Sequence, residues 1–68
     1  MLRDKEIEIM TKEIIKDIEN FGECFIGTLE IQGIKVFKRF NRIQNEWKKN
    51  HDTVLAYNAE TGICWEVR

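Results

Sequence analysis

The chain has 68 residues, with 11 basic and 12 acidic side chains, a net charge of −1, and neither Pro nor Ser. That length is one domain, and a domain this small buries only about 60% of the surface its unfolded chain exposes. No apolar run is long enough to span a bilayer, and no charged-plus-apolar leader opens the chain, so the expectation is a cytoplasmic protein without membrane contact.

The pattern predicts an α+β domain over residues 1–68: an amphipathic helix packed on a four-stranded, mostly antiparallel sheet made of two hairpins. The helix is expected over residues 4–21. Ile7, Met10, Ile14, Ile18 and Phe21 recur at spacings of three and four, Ile15 widens the stripe, and Gly22 follows where a helix ends. Glu8 and Lys12 form an i,i+4 pair in the favourable order.

Strands are expected over 23–32 and 34–41. With Gln32-Gly33 as a two-residue turn, Ile31 pairs with Ile34, Leu29 with Val36 and Phe25 with Phe40, so the apolar residues collect on one face. The other face then carries Ile26, Lys35, Phe37 and Arg39. A short helix fits 41–52, where Ile43 and Trp47 are four apart. A second hairpin follows, with strands over 53–58 and 63–68. A loop at Glu60-Thr61-Gly62 sets Tyr57 against Trp65 and Leu55 against Val67.

Little in the chain supports catalysis. There is no Ser nucleophile, and His51 is the only His. Cys24, His51 and Cys64 are scattered singly, unlike the close-spaced ligand pairs of a structural zinc site. Without a secretory signal the two cysteines read as reduced thiols. The carboxylates of the N-terminal helix sit on its solvated side, and no glycine-rich phosphate loop exists. The expectation is a non-enzymatic protein with no cofactor and no metal.

Two binding surfaces are expected. The first is a protein interface made of the exposed sheet face and the 42–49 segment: Ile26, Phe37, Arg39, Arg42, Trp47 and Val54. A small apolar centre rimmed by Arg and aromatic residues is the usual make-up of such a surface. It suits a regulator, inhibitor or complex subunit of the size that phages and mobile elements encode, its partner another protein or a second copy in a homodimer. The alternative is nucleic acid. Between Ile34 and His51 stand six basic residues (Lys35, Lys38, Arg39, Arg42, Lys48, Lys49) against one acid, Glu46, with aromatics interleaved. Bases that neutralise phosphates beside rings that stack on nucleobases suit single-stranded DNA or RNA. That reading uses Lys35, Arg39, Arg42, Trp47, Lys48 and Lys49.

Overall fold

A computed structural model describes residues 4–68. Three helices and three strands follow one another as α1 (Asp4–Phe21), β1 (Glu23–Phe25), α2 (Leu29–Gln32), α3 (Lys35–Asn50), β2 (Val54–Asn58) and β3 (Ile63–Val67). The strands form one antiparallel sheet in the order β1-β3-β2. The class is α+β, as expected, but the sheet has three strands rather than four.

α1 takes the expected span. Ile18 is fully buried, Ile14 and Ile15 pack against the core, and the Glu8–Lys12 ion pair closes at 3.3 Å. Thr11 is the buried polar residue, and its hydroxyl donates to the Ile7 carbonyl at 2.8 Å. Phe21 departs from the expected stripe: it is largely exposed where the helix gives way to β1.

The expected hairpin over 23–41 does not form. Only Glu23–Phe25 is strand; Leu29–Gln32 is a single helical turn and Lys35–Asn50 a four-turn helix. The physical reason is the longer periodicity. Val36, Phe40, Ile43 and Trp47 recur at spacings of four, three and four, and this stripe runs through the boundary at residue 41. Val36, Ile43 and Trp47 are its buried members, and burying such a stripe is what stabilises a helix in a folded protein. Thr28 starts α2 as its N-cap, accepting from the Ile31 amide at 3.3 Å. Gly33, at φ +67°, is the turn into α3 rather than a hairpin turn. Ile31 and Ile34, expected in the core, stand exposed at that corner.

The second hairpin forms where expected, with its register shifted by one. Tyr57 pairs with Cys64 rather than Trp65, and Leu55 with Glu66 rather than Val67. Residues 59–62 lie between the strands, so the loop has one residue more than expected. Gly62 closes it at φ +79°, accepting from the Ile26 amide through its carbonyl at 2.8 Å. A Cβ there would stand 2.5 Å from the Phe25 ring.

The shift matters because side chains alternate across a strand. Cys24, Leu55, Tyr57, Cys64 and Glu66 take the face toward the helices. Phe25, Val54, Ala56, Ile63, Trp65 and Val67 take the face away from them. The core between the layers is Ile18, Ile26, Val36, Ile43, Trp47, Leu55 and Cys64.

Gln44 guards the outer edge of β2. Its side-chain amide donates to the Leu55 carbonyl and accepts from the Leu55 amide, both at 2.8 Å. A side chain thereby occupies edge groups that otherwise invite another strand.

Candidate functional site

α3 presents three sides with three tasks. One is the apolar stripe in the core. The side toward β2 holds Phe40, stacked on Tyr57 at 5.4 Å, and Phe37, edge-on to the same ring at 6.1 Å. The side toward α1 and solvent is basic. Lys35, Lys38, Arg42 and Lys49 recur at spacings of three, four and seven, with Asn45 between the last two, so they fall in one line along the helix. That line runs for about 21 Å at 1.5 Å per residue.

The charges on this line differ in what holds them. Lys49 pairs with Glu46 at 3.3 Å, and Lys48 and Lys49 occupy the last turn, where the helix dipole favours cations. Lys35, Lys38 and Arg42 have no acidic side chain in ion-pair range among the described residues. Lys35 and Lys38 also sit at the positive end of the dipole, in a helix with no acid in its first turn. Beside them lies a groove of about 250 Å³ between α1 and α3, floored by Ile7, Met10 and Ile14.

Trp47 and Arg39, both expected at a binding surface, hold the fold instead. Trp47 is 1% exposed. Its indole N–H donates to the Thr53 hydroxyl at 3.1 Å, and that hydroxyl donates to the Glu66 carboxylate at 2.8 Å. This accepted bond, with the Arg68 guanidinium nearby, holds the Glu66 carboxyl below the usual carboxylate range. The His51 ring covers Trp47 at 3.7 Å, one nitrogen facing the Trp47 carbonyl and the other Glu19. No face of Trp47 is left for a nucleobase. The Arg39 guanidinium donates to the Ile26 carbonyl at 3.0 Å, locking α3 to the segment after β1.

The expected protein patch does not assemble as one surface. Ile26 is 3% exposed and belongs to the core; Phe37, Arg39 and Arg42 lie on α3; Val54 alone is on the outward sheet face. Lys35, Arg42 and Lys49 of the expected nucleic-acid set do share a side of α3, with Lys48 exposed nearby. Lys38 completes their line. Reading 34–41 as a strand hid it; the spacing 35, 38, 42, 49 is the signal that finds it.

The two thiols meet. Cys24 and Cys64 are direct partners across β1 and β3. Both are free. Burial pushes the Cys64 thiol up to about 12, and burial with the neighbouring Asp17 carboxylate raises Cys24. Such thiols carry little thiolate at neutral pH and are poor nucleophiles. His51 is engaged elsewhere, and among the described residues no three metal-ligating side chains gather. No described helix is long and apolar enough to cross a membrane.

No protein-family model, no curated protein and no solved structure matches this chain.

Proposed function

We propose that the protein is a non-enzymatic nucleic-acid-binding module that sets the basic side of α3 against a duplex. The observation that carries this reading is the line of Lys35, Lys38 and Arg42, three exposed bases with no acidic partner among the described residues, the first two of them at the positive end of the helix dipole. Phosphates are the ligands such an array suits best, and a helix of this diameter fits the major groove of B-DNA.

The order of elements supports the same reading. α2, a glycine turn and α3 make a helix-turn-helix with a one-turn first helix. α1 precedes it and the β2–β3 hairpin follows, with the sheet ordered β1-β3-β2. This is the topology of a winged helix-turn-helix, in which the second helix of the unit enters the major groove. The likeness is one of topology, so the functional argument rests on the α3 surface itself.

Single-strand binding by ring stacking has less support. It depends on Trp47, which is buried, and on Phe37 and Phe40, which lie against Tyr57. A protein-interaction role keeps one specific observation, the apolar outward face of the sheet.

The test is fluorescence anisotropy with labelled duplex and single-stranded oligonucleotides. Four phosphate contacts predict a duplex affinity that falls about 100-fold between roughly 50 and 200 mM salt. Lys38→Glu with Arg42→Glu removes that binding while circular dichroism is unchanged. Duplex affinity untouched by the double reversal overturns the assignment of α3.

A further inference from the structure

The outward face of the sheet is the second feature of this surface that the core does not use. Register places eight side chains on it: Glu23 and Phe25 from β1, Ile63, Trp65 and Val67 from β3, and Val54, Ala56 and Asn58 from β2. Six of the eight are apolar and Glu23 is the one charge. Phe25 is 59% exposed, Val54 46%, Val67 41% and Trp65 37%. α1 and α3 pack on the opposite side of the sheet, with Leu55 and Cys64 buried beneath them, and these four side chains stay exposed among the described residues.

We infer that this face is a homodimer interface, its occupant the same face of a second copy. The area argues for it. With about 200 Å² for a fully exposed aromatic side chain, the eight residues offer on the order of 500 Å² per copy. Two copies bury about 1,000 Å² together, the size at which a specific interface begins. A patch of that size matches the largest on a typical small domain, and such patches are often functional.

Symmetry argues for it as well. β3 is the central strand and Trp65 its central residue. A twofold axis lying in the interface along β3 stacks Trp65 on its counterpart, as two sheets pack face to face about 10 Å apart. The same axis sets the β1 edge of one copy over the β2 edge of the other. Glu23 shares a register level with Trp65, and Trp65 with Ala56, so Glu23 then faces the partner's Ala56. No like charges meet. An axis across the strands instead opposes the two Glu23 carboxylates, so the first arrangement is favoured. The edge of β2 is already occupied by Gln44, which directs association to the face rather than to strand pairing.

This inference stands apart from the role of α3 and is tested without nucleic acid. Sedimentation equilibrium of the full chain, over roughly 1 µM to 1 mM, is expected to show mass rising from 8.1 kDa to twice that value. Trp65→Glu and Val67→Glu are expected to stay monomeric with unchanged circular dichroism. On the unmodified chain, isotope-filtered NOEs between Trp65 rings of labelled and unlabelled copies give an independent reading. A monomer at every concentration overturns the inference, and so does a dimer that persists in the folded variants or lacks the Trp65 contact.

Discussion

The two outward surfaces of this small domain have opposite chemistry. One layer turns a line of basic side chains to solvent along α3; the other turns Trp65, Phe25 and two valines to solvent across the sheet. Salt separates them. Binding of phosphates weakens steeply as salt rises, because it is driven by counterion release. Burial of an apolar face does not depend on charge, and sulfate or phosphate salts strengthen it. The core between the layers is thin enough that a few side chains, Trp47 first among them, support both surfaces.

The largest expected effect breaks both surfaces together. Trp47→Ala removes the largest buried side chain and the indole bond to Thr53, and is expected to cost about 3–5 kcal/mol. In a domain of this size that is most of the stability. Thermal denaturation is expected to show a lost or strongly lowered transition; a near-unchanged Tm contradicts the role given to Trp47.

Charge reversal separates the surfaces. Arg42→Glu alone is expected to weaken duplex binding at least tenfold and to lower the slope of log K against log salt by about 1, while the sedimentation profile is unchanged. An equal effect on self-association shows that the two surfaces are not independent.

Alkali acts on the core beneath the sheet. The folded Cys64 thiol titrates near 12 against an ordinary 9.0, raised first by burial. A group whose folded pKa is raised contributes stability that is complete below the unfolded value and is lost as pH rises through the folded one. Stability is therefore expected to decline between pH 9 and 12, with Cys24 acting in the same direction. Cys64→Ala is expected to flatten that decline in pH-dependent urea titrations; identical slopes in the two proteins contradict it.

The smallest effect sharpens the account of the sheet. Gln44→Ala frees the Leu55 amide and carbonyl at the β2 edge, for a loss of about 1 kcal/mol. A face-to-face dimer keeps its dissociation constant in this variant; a dimer built by strand pairing tightens.

Sequence periodicity carried α1 and the second hairpin, because each has one strong pattern bounded by a glycine. It failed over 25–41, where two patterns overlap. Phe25, Gly27, Leu29 and Ile31 alternate like a strand, yet Val36 and Phe40 belong to a helical stripe that ends at Trp47. Extending the window past residue 41 resolves the conflict and brings Lys38 into line with Lys35 and Arg42. The hairpin register turned on a single loop residue, which moved Trp65 and Val67 from the core face to solvent. No local pattern shows that Trp47 is enclosed by Thr53 and His51, or that Arg39 reaches the Ile26 carbonyl. The first contacts depend on how the chain turns after α3, and the last joins residues 13 apart, so apolar periodicity carries no trace of either.

The most direct measurement is amide chemical-shift mapping of the labelled protein titrated with duplex DNA at low salt. The account predicts that the largest changes fall on Lys35, Lys38, Arg42 and their α3 neighbours, and vanish at high salt, while Phe25, Trp65 and Val67 are unmoved. Changes centred on the sheet face, or none on α3, contradict it.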